Sequence, residues 1–410
     1  MSGGPGPLAG RYRSVALDLD GTVYLEDEVV PAAPGTLRAV RELGVKLAFV
    51  TNNAMRPAAA VVEKLSGLGI KATVEEVLTS SQATVTLLGG EAALRGKGVL
   101  VVGGAGLREA MAGAGARLLE PAAWRDAEIV TAGLDPELTY EKARAAVLAI
   151  AAGARFVGSN PDPSLPTPEG PWPGAGAVLA FLSTASGRRP EIAGKPERAM
   201  FEAIAAALGP GPRLMVGDRV DTDLAGARAL GWDTALVLTG VTRPRDLLDA
   251  AIVPDHVLAD VGGLMDPPGP EVRVDGEDDG RLRALAERDG AKVGSLTVAR
   301  DGDRARLEEL RVEPEDRGHL VGTRLLLAAA ARLREAGARR LDADLVRLCG
   351  DGQDDRGGRD SRDGGGDRDG RGRRGHPDER NDLGDLRAFL RRLGFEGGPE
   401  LGRELAPATR

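Results

Sequence analysis

Up to about residue 265, the chain alternates short apolar runs with longer segments that are rich in alanine and leucine. Short runs with β-branched residues are typical of buried strands, and longer Ala/Leu segments are typical of helices. The pattern predicts strands over 15–20, 45–50 and 214–216, and a helix over 197–208. Because strands that alternate with helices form parallel sheets, we predict an α/β fold with a Rossmann-like parallel sheet.

This periodic pattern breaks at two places. At 266–280, prolines and acidic residues interrupt it, which predicts a domain boundary. At 351–382, the 32 residues include ten acidic residues, eight arginines and nine glycines, and none is apolar. A segment without apolar residues cannot offset its chain entropy by burial, so we predict a disordered insert. An interaction arm and a reading-frame slip are the alternatives for this segment.

Composition and charge exclude several classes of protein. The single cysteine, Cys349, excludes an internal disulfide framework and a thiolate zinc site, and three histidines leave little material for a histidine metal site. The net charge of −8 gives no general basis for binding nucleic acid. We find no apolar run of the roughly 18 residues that a membrane span needs, and no apolar core of a signal peptide. We therefore expect a cytoplasmic protein.

Two carboxylates follow the first predicted strand. Asp18 and Asp20 come after apolar residues and are followed at once by Gly21 and Thr22. The strand period of two predicts that both carboxylates lie on one side, at the edge where open α/β sheets bind ligands. Paired acids can divide the work, because one attacks as an anion while the other gives and takes protons. An ordinary turn at the strand end is the structural alternative.

Polar groups that can hold an anion occur at two further points. Thr51, Asn52 and Asn53 follow the strand at 45–50 and offer neutral donors to phosphoryl oxygens. Lys195 lies in a Gly-Lys-Pro turn just before the helix at 197–208, where its charge can neutralise a bound anion. Common loop chemistry and a surface lysine are the respective alternatives.

A third strand also ends near carboxylates. Asp218 follows the strand at 214–216, and Asp223 lies five residues further on. Asp18, Asp218 and the backbone carbonyl of Asp20 would form an oxygen-rich site that suits Mg²⁺. Asp223 is expected to cap the next helix, to orient metal-bound water, or to do both.

Taken together, these strand-end motifs over residues 12–265 resemble the haloacid dehalogenase-like (HAD) hydrolase superfamily. The resemblance implies that Asp18 is the nucleophile and that Asp20 is the general acid/base of a phosphatase. It implies Mg²⁺ as the cofactor and a small phosphorylated metabolite as the partner. The implied phosphate-binding residues are Thr51, Asn52, Asn53 and Lys195. The implied metal-binding residues are Asp18, Asp20 and Asp218. Asp223 is implied to orient metal-bound water without binding the metal itself.

The spacing of the motifs indicates an inserted cap. Few residues separate Asp20 from Thr51, whereas about 140 separate Thr51 from Lys195, which leaves room for a cap in the second interval. This arrangement resembles subfamily IIA, the group of nucleotide and p-nitrophenyl phosphatases related to NagD. Its C2-type cap implies strands near 99–102 and 128–132, and caps of this group often mediate homodimers. Further matching segments are Ser159–Pro163, Pro173–Gly176 and Leu236–Gly240.

The carboxy-terminal third resembles a shortened GCN5-related N-acetyltransferase (GNAT). A strand enters a helix through Arg317-Gly-His-Leu-Val-Gly322, similar to the acetyl-CoA loop, and Leu-Gly394-Phe resembles a late element of that family. Leu320 replaces the middle glycine of the loop, and Leu390 replaces the usual tyrosine. The family's first strand and helices also look truncated. We therefore expect a structural or regulatory α+β module without acetyl-CoA binding.

These observations predict four segments and one activity. The segments are a first core part at 10–78, a C2-type cap at 79–190, a second core part at 191–268 and a partial GNAT-like region at 269–410. The chain resembles actinobacterial subfamily IIA phosphatases that carry a partial GNAT region, which implies glycerol 3-phosphate as the substrate. Phosphoglycolate, nucleotides or sugar phosphates are alternative substrates, and a bifunctional enzyme with acetyltransferase activity is a further alternative.

Overall fold

The computed structural model describes residues 6–167, 169–248, 250, 252–278, 280–317, 320–344, 390–391, 393, 395–396 and 400–404. The chain divides into two compact units. The first contains Met1–Thr242 and Pro254–Pro268, and the second contains Arg243–Val253 and Gly269–Arg410. The predicted insert at 351–382 lies outside the described residues. None of the described helices combines the length and the apolar character that crossing a membrane requires.

The elements of the first unit alternate between strands and helices for most of its length. Its strands are β1 (Ser14–Asp18), β2 (Tyr24–Leu25), β3 (Glu28–Val29), β4 (Lys46–Thr51), β5 (Val77–Thr79), β6 (Gly98–Val102), β7 (Arg117–Leu119), β8 (Ile129–Ala132), β9 (Arg155–Gly158), β10 (Ser164–Thr167), β11 (Gly170–Pro173), β12 (Glu191–Ile192), β13 (Arg213–Gly217), β14 (Asp233–Val237) and β15 (His256–Leu258). Its helices are α1 (Ala33–Glu42), α2 (Ala58–Gly67), α3 (Ser80–Leu87), α4 (Gly90–Leu94), α5 (Ala105–Gly113), α6 (Tyr140–Ala151), α7 (Ala175–Ser186), α8 (Arg198–Leu208) and α9 (Ala225–Ala229).

A parallel core sheet has the strand order β15-β14-β13-β1-β4-β5. Strand β1 lies between β13 and β4 and is buried along its whole length. Val15 and Leu17 pack into one apolar cluster, whereas Ala16 packs into another that contains Phe201 of α8. Because successive side chains point to opposite faces, a strand covered on both sides must be apolar throughout. The predicted parallel α/β core is confirmed.

The first strand is shorter than predicted. It ends at Asp18, and Asp20 lies in a turn. Gly21 has φ +89°, and its N–H donates to the carbonyl of Tyr24 at 2.8 Å. Asp20 is therefore placed by this turn and not by the strand alternation that we used to predict its side.

A second parallel sheet lies between the two halves of the core along the chain. Its order is β12-β9-β8-β6-β7, and β10 pairs with β11 as a separate antiparallel hairpin. Val130 of β8 packs with Ile150 of α6 and Leu179 of α7. Strands β6 and β8 occupy the positions predicted for cap strands near 99–102 and 128–132. The inserted segment therefore has an α/β core of its own.

The second unit contains a mixed sheet. Its elements are α10 (Pro244–Leu247), β16 (Glu271–Asp278), β17 (Arg281–Arg288), β18 (Ala291–Asp301), β19 (Arg304–Val312), α11 (Val321–Glu335), β20 (Arg340–Asp344) and β21 (Glu400–Glu404). Strands β16 to β19 are antiparallel neighbours, β19 pairs with β20 in parallel, and β20 pairs with β21 antiparallel. The stretch where we expected a truncated first strand and truncated helices thus has four strands, and no α-helix among its described residues from 271 to 317.

Candidate active site

Three strands of the core bring the predicted residues to one edge. Asp18 is the last residue of β1 and is in register with Val50 of β4, so Thr51 at the end of β4 lies beside it. Asp218 directly follows β13, the other neighbour of β1. The carboxyl ends of parallel strands meet at one edge of the sheet, where α/β proteins bind ligands.

Lys195 reaches this edge from the loop between β12 and α8. It is 2% exposed, and its Nζ contacts Oδ1 of Asp18 and lies 2.6 Å from Oδ1 of Asp223. Burial opposes the charge of the lysine, but Asp18 and Asp223 outweigh it and raise its pKa. Lys195 is therefore held as a cation between two carboxylates, and it is not the surface lysine of the alternative interpretation.

Three carboxylates lie together around this lysine. Carboxylate oxygens of Asp18, Asp218 and Asp223 are within 4.8 Å of one another, and all three residues are buried. Burial raises the pKa of Asp18 well above its ordinary value, although Lys195 opposes this rise. Burial, and then Asp223, raise the pKa of Asp218 to about 6. One lysine thus does not balance three acids, which is the charge pattern that a hard cation would stabilise.

Asp218 is fixed by the segment after β14. The N–H of Val241 donates to Oδ2 of Asp218 at 2.6 Å, and the hydroxyl of Thr239 donates to the carbonyl of Gly21 at 2.5 Å. A Cβ atom at Gly240 would lie 2.0 Å from Oδ2 of Asp218, and one at Gly21 would lie 2.5 Å from it. Only glycine at these two positions leaves room for the carboxylate in its present place.

Asp223 lies inside a turn of π-helix, Val220–Leu224, and not at the start of α9. Its Oδ2 accepts from the N–H of Arg219 at 3.2 Å, and its Oδ1 faces Lys195. The capping role considered from the sequence is replaced by this ion pair. Asp223 therefore contacts the lysine directly.

Asp20 lines the pocket, keeps part of its surface open to solvent and pairs with Tyr24 in an isolated bridge. The hydroxyl of Tyr24 hydrogen-bonds to the Asp20 carboxylate, and Nζ of Lys64 lies 3.9 Å from the centre of the Tyr24 ring. Desolvation raises the pKa of Asp20, while Lys64, Lys195 and the Tyr24 hydrogen bond lower it. A carboxyl with a raised pKa suits proton transfer near neutral pH.

The side chains of Thr51 and Asn52 have hydrogen-bond partners within the protein that the sequence did not indicate. The side-chain amide of Asn52 donates to Asp162 at 3.0 Å and to the carbonyl of Lys195 at 3.1 Å, and its oxygen accepts from the N–H of Lys195 at 2.8 Å. Thr51 is buried, and its hydroxyl accepts from the N–H of Asn53 at 3.0 Å. The Asn52 side chain thus holds the lysine loop in place.

A pocket of about 180 Å³ opens above these residues. All eight predicted site residues line it, and the inserted segment contributes Leu134, Asn160, Asp162, Ser164, Leu165, Gly174 and Ala175. Sequence reasoning missed two charged residues here, Asp162 and Arg219. Asp162 lies within the segment Ser159–Pro163 that we noted only as a family match, and Arg219 is adjacent to Asp218. Position beside a motif was the only available signal for either residue.

The loop that resembles an acetyl-CoA site lies in the second unit. Leu320 has φ 60°, a left-handed conformation that is rare for leucine, and it directly precedes α11. Gly322 lies in the first turn of α11. Gly318 and His319, which belong to the same motif, lie outside the described residues, as does Gly394. Leu390 and Phe395 of the late motif are buried.

Family models match most of the chain in three segments. Residues 15–117 match the haloacid dehalogenase-like hydrolase model, 192–264 match a HAD-hydrolase-like model, and 258–348 match the acetyltransferase (GNAT) family. These matches cover both halves of the parallel core and the region up to β20. The predicted GNAT region at the carboxy terminus is confirmed.

Curated relatives and solved structures extend the likeness. D-glycerol 3-phosphate phosphatase from Mycobacterium tuberculosis is 36% identical over 302 residues, which cover 72% of this chain and 81% of the relative. A 5′-nucleotidase from Bacillus subtilis is 36% identical over 249 residues, which cover 60% of this chain and 95% of the relative. The crystal structure of a glycerol phosphate phosphatase from M. tuberculosis in complex with magnesium is similar with a TM-score of 0.68 and 32% identity, and covers 82% of this chain and 94% of that one.

Proposed function

Because the chain belongs to the haloacid dehalogenase-like hydrolase family and is a phosphatase, we propose that it hydrolyses D-glycerol 3-phosphate through an aspartyl-phosphate on Asp18. One observation carries this proposal. Lys195 lies buried between Asp18 and Asp223, at the edge where three core strands end. A nucleophile that is held beside a buried cation, in a pocket open on one side, suits attack on a phosphoryl group.

The first step transfers the phosphoryl group to the protein. A carboxylate oxygen of Asp18 forms a bond to phosphorus, and the bond between phosphorus and the alcohol oxygen breaks. Asp20, which lines the same pocket as Asp18, gives its proton to that leaving oxygen. Lys195 offsets charge on the phosphoryl oxygens, and Thr51, Asn52 and Asn53 line the same pocket.

The second step returns the enzyme to its starting state. Asp20, now ionised, takes a proton from water, and the water oxygen forms a bond to phosphorus. The bond between phosphorus and Asp18 breaks, which releases inorganic phosphate. The same carboxyl thus serves as acid and then as base, and its raised pKa suits both tasks.

The residues present fit a divalent cation. Asp18, Asp218 and the backbone carbonyl of Asp20 would hold it, and Asp223 would support it while contacting Lys195. The fit rests on three buried carboxylates with one lysine and on the elevated pKa values of Asp18 and Asp218. When bound, Mg²⁺ would stabilise negative charge on the phosphoryl group as a Lewis acid. The magnesium complex of the M. tuberculosis relative supports this choice of metal.

The size of the pocket favours a small leaving group. Its volume of about 180 Å³ is below the roughly 300–1,000 Å³ that is typical of sites for drug-sized ligands. This observation favours glycerol 3-phosphate over nucleotides, although a relative is named a 5′-nucleotidase. Phosphoglycolate and sugar phosphates are the remaining alternatives, and their leaving groups differ from glycerol in charge and in size.

We propose for the remaining parts the roles expected from the sequence. Residues 79–190 act as the cap over the core at 10–78 and 191–268, and the cap is the expected surface for a homodimer. The region at 269–410 has a structural or regulatory role, because Leu320 stands where close approach of a pyrophosphate would need glycine. A single cysteine suits the reducing cytoplasm.

A phosphate-release assay on the full chain tests the proposal. We expect Mg²⁺-dependent release from glycerol 3-phosphate in a panel with phosphoglycolate, nucleotides and sugar phosphates. The variant Asp18→Asn should abolish turnover and should form no acid-stable phosphoprotein, whereas Asp20→Asn should still be phosphorylated slowly. Near-normal turnover by Asp18→Asn would contradict the proposed nucleophile. Acetyl-CoA binding at micromolar concentration in calorimetry would favour the bifunctional alternative.

A further inference from the structure

Asp162 is the charged residue that the inserted segment contributes to the pocket. It lies with Asn160 in the loop between β9 and β10, and Ser164 is the first residue of β10; Asn160 and Ser164 also line the pocket. Its Oδ2 accepts from Nδ2 of Asn52 at 3.0 Å, and its Oδ1 faces Nη1 of Arg219 at 3.5 Å. Two donors thus hold the carboxylate. Since an ionised carboxyl has about four acceptor positions, two remain for hydroxyl groups of a ligand.

Arg219 is not available to a second anion of a substrate. Its Nε and Nη2 donate to Asp221 at 3.1 and 2.9 Å, and its Nη1 faces Asp162. The guanidinium group of Arg219 therefore already forms ion pairs with two carboxylates. Of the two cationic residues that line the pocket, Lys195 is likewise paired with two carboxylates.

The pocket has no positive charge left over for a second anion. Five of the described lining residues are aspartates, and two carry a positive charge. With a divalent cation bound and Asp20 protonated as the acid, four carboxylates balance the four positive charges before the phosphoryl group enters. The phosphoryl group then makes the pocket net negative, so a carboxylate or second phosphate on the leaving group would meet unbalanced negative charge at short range.

The remaining lining matches the alternating character of a polyol. Leu134, Leu165 and Val241 present apolar surface, which suits C–H groups, while Asp162 and Ser164 present oxygen acceptors for hydroxyl groups. Leu165 and Asp162 come from the inserted segment and Val241 from the core. The leaving group thus meets both kinds of surface.

Resting on the proposed phosphatase function, we infer that Asp162, held by Asn52 and Arg219, determines specificity by accepting hydroxyl groups of a neutral polyol leaving group and by excluding anionic ones. Hydroxyl donors to a charged acceptor strengthen binding, and a site built for them disfavours analogues that lack them. Asp162 is a specificity residue that does not contact the reacting phosphorus.

Three substrates of one carbon skeleton test this inference. Glycerol 3-phosphate, n-propyl phosphate and 3-phosphoglycerate share three carbons and differ in hydroxyl groups and charge. For wild type with Mg²⁺, we expect kcat/KM to be at least ~10-fold higher for glycerol 3-phosphate than for each of the other two. In Asp162→Asn, both ratios should fall by about 10-fold. The asparagine keeps an oxygen that can accept from Asn52, so the loop retains that contact.

Asp221→Asn is the matched control, because it removes the same charge from Arg219 at a residue that does not line the pocket. Its substrate ratios should stay at wild-type values. An equal loss for all three substrates in Asp162→Asn would show that Asp162 acts only as a tether between loops, and would overturn the inference. Ser164→Ala provides a second test at an exposed residue that lines the pocket. It should lower kcat/KM for glycerol 3-phosphate and leave kcat/KM for n-propyl phosphate, which has no alcohol hydroxyl, unchanged. If wild type hydrolyses none of the three substrates, the proposed function itself fails.

Discussion

Replacing Asp218 with asparagine should remove a defined part of the pH dependence of stability in the metal-free protein. Burial, and then Asp223, raise the pKa of Asp218 from 3.8 to about 6. A carboxyl whose pKa is higher in the folded state binds its proton more tightly there, so protonation stabilises the fold. This stabilisation is complete below the ordinary pKa and is lost as pH rises through about 6.

The magnitude follows from the two pKa values. The difference between 3.8 and about 6 corresponds to about 3 kcal/mol in the free energy of unfolding. Of this, about 1.4 kcal/mol is lost between about pH 5 and about pH 8. The raised pKa of Asp18 acts with the same sign. Bound Mg²⁺ should remove the effect, because it favours the ionised carboxylates.

Urea denaturation of the EDTA-treated proteins measures this effect. All three tryptophans, Trp124, Trp172 and Trp232, lie in the first unit, so their fluorescence follows the unfolding of the unit that contains the site. Relative to Asp218→Asn, wild type should gain about 1.4 kcal/mol from about pH 8 to about pH 5. A difference between the two proteins that does not change with pH would refute the assignment of a destabilised carboxylate cluster.

Three further changes probe separate parts of the site. Gly240→Ala would force a Cβ atom against Asp218, so the Mg²⁺ affinity measured by calorimetry should fall by about 10–100-fold. The control Gly35→Ala places its Cβ in open space and should leave the Mg²⁺ affinity unchanged. Lys195→Met leaves two buried carboxylates without their cation. The free energy of unfolding of the metal-free protein, measured by urea denaturation at neutral pH, should fall by about 3–5 kcal/mol. An unchanged denaturation midpoint would contradict the ion pairs. Asp20→Asn should reduce kcat/KM, which reports the first step, more for glycerol 3-phosphate than for 4-nitrophenyl phosphate, whose leaving group needs no proton. Equal losses in kcat/KM would count against a general acid.

The sequence was most informative where backbone topology alone decides position. Asp18, Thr51 and Asp218 meet because they end neighbouring parallel strands, and the apolar runs before them were sufficient to predict those strands. The position of the Asp20 side chain could not be predicted in this way. Its position depends on Gly21 and on pairing with Tyr24, which strand periodicity does not describe.

Side-chain partners that are distant in sequence were not predictable. Asn52 and Asp162 are 110 positions apart, and their hydrogen bond depends on how the inserted segment approaches the core. The same holds for the pairing of Asp223 with Lys195, since a carboxylate near a helix start is compatible with capping. Periodicity and composition contain no information on such contacts.

The division of the core along the chain has a consequence for synthesis on the ribosome. Strand β1 needs β13 on one side and β4 on the other, and β13 is translated almost 200 residues after Asp18. Since domains fold as their segments emerge, the sheet formed by β6 to β9 and β12 can assemble first, while the edge of β1 is still unpaired. The nascent chain therefore carries Asp18 long before Lys195 and Asp218 exist beside it, and phosphoryl chemistry begins only when the second half of the core has left the exit tunnel.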